Sequence, residues 1–379
     1  MKISERSISI ISREKSASLG KNCVTIGRLS CHRGGGIMAQ GLLEVTGSIG
    51  LSQFWPQGES DADTIRVKVA DPGQDFRFRP DPGAPFRVTQ AFQGALVSGS
   101  KGRRPVMKNG ELRIRLQGVD APELHYTPPA EQERKNRTQE QQSLYLQWNE
   151  KYRQFFAETA TLALAQFLRT LGGPLLPCTV RTAVDSPGDV FDVYGRFVGN
   201  VFVQTPSGEQ DVNLWLAENG WVMPAFYTSM SAEEIQAITD AATRAYFAGL
   251  GVWPLYSSGA GVQDFDPNLR YRRKLPQNAA PDVGPVIVPK LFRRLSTFVV
   301  NRKAKMVTGS FEAYLRSKRP GDAVHRTSEF LEQGAGAAPL HFLDEFVESG
   351  QFIVWPEEII FREQPSTLVD SSNREIQAF

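Results

Sequence analysis

Apolar and polar residues alternate with a period of two in several short stretches of the chain. In Leu112-Arg-Ile-Arg-Leu-Gln-Gly-Val119, residues Leu112, Ile114 and Leu116 fall on one face and Arg113, Arg115 and Gln117 on the other, the pattern of a half-buried strand. Ile65, Val67 and Val69 repeat it, with Arg66 and Lys68 facing away. Residues 42–69 are therefore expected to carry the first strands, and residues 177–184 and 196–204 read as a further pair. Elsewhere the spacing is helical. Asn149 is placed to cap a helix running to about Leu171, with Tyr152, Phe156, Thr159, Ala163 and Phe167 on one face and Gly172-Gly173-Pro174 at its end. Asp211 to Glu218 reads as a short helix stopped by Gly220, and Ser231-x-x-Glu234 as the capping box of a helix that Gly249 ends. These elements predict an α+β protein, a small β-barrel with helices at its side.

The strand ends carry the chemistry. Arg115 is presented on the polar face of its strand, just before Asp120-Ala-Pro-Glu123, where Pro122 ends the ladder. Guanidinium forks pair with phosphate oxygens, and carboxylates and carbonyls bind hard divalent cations. Alone, this stretch reads equally well as a surface ion cluster at a turn. Two further stretches repeat the arrangement: Asp61-Ala-Asp63-Thr64 before the Ile65 run, and Asp192-Val-Tyr194-Gly-Arg196 before Phe197 to Val203.

In that order, D-x-D-T, R-x-x-x-x-D-A-P-E and D-x-Y-G-R, the chain resembles the staphylococcal nuclease (thermonuclease-like) family over about residues 42–255. Asn213, Leu216, Gly220 and a closing Gly251-x-Trp253 add to the resemblance. The resemblance implies a five-stranded OB-fold barrel with flanking helices. It places metal-binding aspartates at Asp63 and Asp120, a carbonyl ligand at Ala121, a general base at Glu123 and phosphate-binding arginines at Arg115 and Arg196. Tyr194 then lies beside a bound nucleotide. Ca2+ is the implied cofactor, with Mg2+ or Mn2+ as alternatives. Ala62 departs from the usual Gly and is expected to tighten the turn before Asp63. Val193 departs from a common Lys.

Two insertions interrupt the pattern. Residues 70–110 are rich in Pro and Gly and interleave aromatic with basic residues, as in Phe76-Arg-Phe-Arg79 and Phe86-Arg87. They read either as a widened nucleic-acid track, bases stacking on rings, or as a decorated surface hairpin. Residues 124–148 leave the motif directly after Glu123 and are partly helical from Ala130. They suit either a substrate-positioning loop or an idle excursion, and His125 reads as an exposed loop histidine.

Composition and charge frame the rest. The chain has 379 residues, 41% of them hydrophobic, with a formal net charge of +2, and no apolar run long enough to span a bilayer. Three cysteines are too few for a disulfide framework. Cys23, Cys31 and His32 lack a fourth zinc ligand at sensible spacing. Residues 1–37 are rich in Ser, Arg and Lys with no apolar signal core, and read as a disordered tail, with an organellar leader or untranslated sequence before a start at Met38 as the two explanations. With no signal peptide or transmembrane segment in view, a cytoplasmic location is the expectation. Residues 256–285 read as a linker and 286–379 as a small accessory α+β domain of no recognised family. From Pro267 to Arg319 thirteen Lys/Arg face only Asp282 and Glu312, and after Pro320 acids predominate. The two halves are expected either to pair with each other or to leave the basic one for a nucleic-acid backbone.

The function expected is metal-dependent hydrolysis of DNA or RNA, single-stranded by preference, with water attacking in line. The alternative is a non-catalytic OB-fold module binding nucleic acid or protein.

Overall fold

The computed structural model describes residues 41–99, 102–278, 283–334, 336–363 and 366–379. The N-terminal tail, its cysteines and the Met38 start lie outside the described residues. Residues Ala39–Phe379 form one compact unit.

Five strands make the barrel: β1 (Gly41–Gly50), β2 (Thr64–Lys68), β3 (Glu111–Leu116), β4 (Leu175–Val184) and β5 (Phe197–Thr205). β1 pairs antiparallel with β2, β2 with β3, β5 with β4 and β4 with β1. β3 and β5 pair in parallel and close the ring. The result is the expected OB-fold barrel. The period-two pattern is its cause. Val45, Ile65, Val67, Leu112, Ile114, Val180, Phe197 and Val201 point inward and are at most 1% exposed, which supplies the apolar burial that closes the barrel.

Among the described residues seven helices accompany it: α1 (Gln139–Trp148), α2 (Ala157–Thr170), α3 (Val212–Glu218), α4 (Ala232–Phe247), α5 (Pro289–Lys303), α6 (Phe311–Arg316) and α7 (Thr327–Gln333). The Ser231/Glu234 capping box starts α4 as expected. α2 differs: it begins at Ala157 rather than after Asn149. Tyr152 is fully buried and exchanges both backbone hydrogen bonds with Tyr126, at 2.8 and 2.9 Å. That pairing holds the residues before α2 in an extended path and overrides their helical spacing. The buried face of α2 is accordingly Ala157, Ala160, Thr161, Leu164, Ala165 and Leu168. Phe167 stacks at the margin on Trp215, with ring centroids 4.0 Å apart.

The residues after 256 pack into the same compact unit. Ile359–Phe361 pairs with Phe226–Tyr227 from the barrel half, and Thr367–Val369 with Leu96–Gly99 from the first insertion. One apolar cluster joins Tyr145, Met223 and Trp253 to Leu291, Phe298 and Ile359. The basic and acidic halves of this segment pair with each other. Arg294 forks onto Asp322 with both bonds at 2.6 Å, and Arg319 onto Asp344 with both at 2.7 Å.

The first insertion packs Phe76 and Phe92 into the fold, while Arg87, Arg103 and Arg104 stay exposed. Phe76–Arg79 adds to β1 as a strand. Phe78 stacks on Phe379 at 3.9 Å, and Arg77 and Arg79 lie over Phe86. The second insertion is a platform for α5. Asn301 accepts from the Glu131 amide and donates to the Pro129 carbonyl, both at 2.8 Å, and Tyr126 meets Thr297 at 2.9 Å.

Candidate active site

Strand register assembles the site. Thr64 on β2 lies opposite Arg115 on β3, and Arg115 lies opposite Val198 on β5. Asp63, Arg115 and Arg196 are thus brought to one end of three neighbouring strands. Gly118, at φ +76°, then turns the chain into the short strand Val119–Asp120. A Cβ there would lie 2.3 Å from the Ile238 side chain, so the turn requires glycine.

Arg115 is 8% exposed and donates to the Leu116 carbonyl at 3.1 Å, the Val119 carbonyl at 2.7 Å and Asp120 Oδ1 at 2.7 Å. It also lies 3.4 Å from Asp63 Oδ2. Burial opposes its charge, but Asp63 and Asp120 outweigh this and hold the guanidinium more firmly protonated than usual. Asp63 Oδ2 accepts the Ala121 amide at 2.9 Å, and Oδ1 accepts the Thr64 hydroxyl at 3.0 Å. Burial raises the Asp63 carboxyl, yet Arg115 and the Ala121 amide prevail and hold it below the ordinary carboxylate value. At Asp61, two residues earlier, burial followed by the charge of Asp63 outweighs the pull of His125 and Arg115 and pushes the carboxyl up to about 7.

Arg196 lies across the turn from Asp192. Its Nε is 2.7 Å from Asp192 Oδ2, and its Nη1 donates to Thr64 Oγ1 at 3.1 Å. Asp192 Oδ1 accepts the amides of Tyr194 and Arg196, both at 2.9 Å, which fixes the turn. Tyr194 is 48% exposed, with the Arg196 guanidinium 5.5 Å from its ring centre. Ala62 is buried and lacks the left-handed backbone that would demand glycine, so the departure there carries no strain.

Glu123 is held by its backbone. Its amide donates to Gln154 Oε1 at 2.8 Å, and its carbonyl accepts the Gln154 amide at 2.7 Å. Gln154 is itself buried and donates to the Ile287 carbonyl at 2.8 Å. Burial pushes the Glu123 carboxyl up, against the pull of Arg293.

Arg293, from α5, was not foreseen. Its Nη2 lies 2.9 Å from Asp120 Oδ2 and its Nη1 3.2 Å from Asp120 Oδ1, while Nη1 also contacts Glu123 Oε1. The residue sits in a basic run that looks solvated by composition. The polar series Arg293, Thr297 and Asn301 recurs at i, i+4 and i+8, but it does not stand out in a helix that also carries Lys290, Arg294, Ser296, Arg302 and Lys303. His125 keeps to its loop, its Nε2 2.8 Å from the Glu59 carbonyl.

A cavity of about 430 Å³ opens beside this cluster. Arg115, Tyr194 and Arg196 line its barrel side, and Lys290, Arg294 and Arg362 its C-terminal side. Burial lowers the Lys290 ammonium to about 8, although Asp322 lies 3.4 Å away.

Residues 113–254 match the family model described as staphylococcal nuclease homologue. Over that span, less than half of its length, the chain is similar to this family. The nuclease-homologue span contains Arg115, Asp120, Ala121, Glu123, Tyr194 and Arg196, whereas Asp63 precedes it and Arg293 follows it. A search of curated proteins finds no match to the chain. Among the described residues no helix is long and apolar enough to cross a membrane.

Proposed function

We propose that the chain is a nuclease that hydrolyses phosphodiester bonds of DNA or RNA at the end of the barrel. The observation that carries this reading is that strand register sets Arg115 and Arg196 on the wall of a cavity of about 430 Å³, with Glu123 held by the Gln154 clamp a short step along the chain from Asp120, the partner of Arg115. A water attacks phosphorus in line as its proton passes to Glu123, and the bond from phosphorus to the leaving oxygen breaks. Negative charge gathers on the non-bridging and leaving oxygens, where Arg115 and Arg196 receive it. Fixed donors of this kind are worth about 3–4 kcal/mol each to a transition state. Tyr194, exposed at the cavity edge, offers its ring to a base.

The family implies a Ca2+ ion on Asp63, Asp120 and the Ala121 carbonyl, and Mg2+ or Mn2+ would use the same donors. The donor set in hand does not fit one. Both oxygens of Asp120 accept guanidinium hydrogens, and both oxygens of Asp63 accept other donors. Among the described residues no group of three or more His, Cys, Asp or Glu side chains is arranged to hold a metal.

A second reading, a module that binds nucleic acid without cutting it, is favoured by the same engagement of Asp120 and Glu123 with Arg293. Cleavage of labelled single-stranded DNA and RNA by the full chain separates the two. Cleavage reduced about 10²-fold or more in Arg196→Ala, with the fold retained, supports the nuclease. Equal cleavage by Arg196→Ala refutes the assignment, and salt-sensitive binding without cleavage establishes the module.

A further inference from the structure

We propose that Arg293 takes the cation's place in the site, its guanidinium bridging Asp120 and Glu123 so that the full chain holds these carboxylates without a divalent metal. The inference rests on the nuclease reading for its meaning in catalysis, but its structural content stands apart from activity.

Three observations carry it. First, the geometry is that of a counter-ion and not of a passing contact. Asp120 is 3% exposed and receives one guanidinium nitrogen on each oxygen from Arg293, at 2.9 and 3.2 Å, beside the 2.7 Å bond from Arg115. The same Arg293 nitrogen reaches Glu123 Oε1, so a single cation spans two carboxylates. Planar forks suit this bridging, whereas an ammonium would act as a point charge.

Second, the rest of the chain is built to deliver it. Arg293, Thr297 and Asn301 lie one helical turn apart on α5, and each meets the segment running out of the motif. Arg293 meets Asp120 and Glu123, Thr297 meets Tyr126, and Asn301 meets Pro129 and Glu131. Thr297 and Asn301 are fully buried. The Thr297 hydroxyl donates to the Arg293 carbonyl at 2.8 Å, which fixes this turn of the helix. The second insertion thereby acquires a role: it is the surface that α5 reads to place Arg293.

Third, the carboxylates need a cation. Asp120 and Glu123 both lie within hydrogen-bond reach of the one Arg293 guanidinium, so their carboxylates face the same small space. Two buried carboxylates with one guanidinium between them are compensated; without it, the pair becomes a ready site for a hard cation. Arg293 is therefore a positioning residue. It acts through Glu123, holding that carboxylate in place, and it occupies the space where a metal would bind Asp120.

The test is a calorimetric Ca2+ titration, with Tb3+ luminescence as a second probe, on the full chain and on Arg293→Gln, Arg293→Lys and Arg293→Gln/Asp120→Asn. Circular dichroism and melting curves first confirm that each variant is folded. The proposal expects weak Ca2+ binding by the native chain and by Arg293→Lys. It expects binding at least about tenfold tighter by Arg293→Gln, with that gain lost in the double variant. Native protein that binds Ca2+ as tightly as Arg293→Gln overturns it, as does a folded Arg293→Gln with no gain or a gain that survives in the double variant. Cleavage assays run in parallel expect native activity to persist in EDTA and Arg293→Gln to require added Ca2+. Native cleavage abolished by EDTA overturns the proposal. Absence of cleavage by every protein under every condition sinks the nuclease reading alone, since the Ca2+ titrations still decide the place of Arg293.

Discussion

The two site arginines should part company when each is cut to alanine, one weakening the fold and the other mainly the chemistry. Arg115 holds two carbonyls of the turn, Leu116 and Val119, as well as Asp120, and its side chain is 9% exposed. Hydrogen bonds to a charged donor contribute about 1.5–3 kcal/mol each. Breaking a buried ion pair costs about 3–5 kcal/mol when the partner is left uncompensated. Here Asp120 keeps Arg293, and Asp63, 3.4 Å from Arg115, keeps the Ala121 amide and the Thr64 hydroxyl, so the loss comes chiefly from the two carbonyls. We expect Arg115→Ala to lose about 3–4 kcal/mol. Arg196 pairs with Asp192 at 2.7 Å, but the two side chains are 21% and 19% exposed. Partly solvated pairs of this kind contribute about 1 kcal/mol. Urea unfolding followed by tryptophan fluorescence and by circular dichroism reads both, coincident curves justifying a two-state analysis. Arg115→Ala should shift the midpoint far below that of Arg196→Ala. Equal midpoints, or a larger shift for Arg196→Ala, would refute the structural role assigned to Arg115. The outcome also decides which variant is a fair probe of chemistry, because activity lost in Arg115→Ala would mix stability with catalysis.

Other predictions follow from single environments. Cys178 is 6% exposed and burial pushes its thiol up to about 12, so iodoacetamide at pH 8 should label it only after unfolding, as read by peptide mass mapping. The Lys290 ammonium titrates near 8 in the fold against 10.5 ordinarily, so between those values the unfolded chain holds the extra proton and this group's contribution to stability rises with pH. Lys290→Met, with Asp322 still paired to Arg294, should be more stable than the native chain at pH 7 by melting temperature, and the gap should close as pH rises past 8. A chain ending at residue 255 should be insoluble or lack a cooperative melt, because it bares Met223, Val252 and Trp253 and leaves Phe226–Tyr227 without Ile359–Phe361.

Much of the barrel could be read from the alternation of apolar residues, because each strand buries one face and the period of two survives in the sequence. Caps such as Ser231 with Glu234 were legible for the same reason: the interaction is local. Losses occur where distant contacts override local pattern. Tyr152, Phe156 and Phe167 share a helical face on paper. Pairing of Tyr152 with Tyr126 nevertheless draws the first part of that stretch into an extended path, and the resulting backbone lets Gln154 clamp Glu123. Within the site, Asp63, Arg115 and Arg196 could be grouped because each stands at a strand mouth. Gln154 and Arg293 could not, since nothing near them in sequence marks the partner.

The family match and the candidate site do not cover the same residues. The match runs from 113 to 254, yet Asp63 lies before it and Arg293 after it. The first insertion separates Asp63 from Arg115 along the chain without moving it in space, because β2 and β3 still pair in register as neighbours. The C-terminal segment acts differently: it adds a wall to the cavity and a cation to the carboxylates. Neither addition is separable from the fold, since Asn301 and Thr297 are buried against the second insertion. It follows that the second insertion and the helix carrying Arg293 depend on each other. Shortening residues 124–148 should therefore disturb the site by withdrawing Arg293, even though no residue of the motif is touched. Replacing Tyr126 and Asn301 one at a time and together measures that dependence. A coupling of about 0.5–3 kcal/mol is expected if the two surfaces act as one, and additive losses would show that they do not.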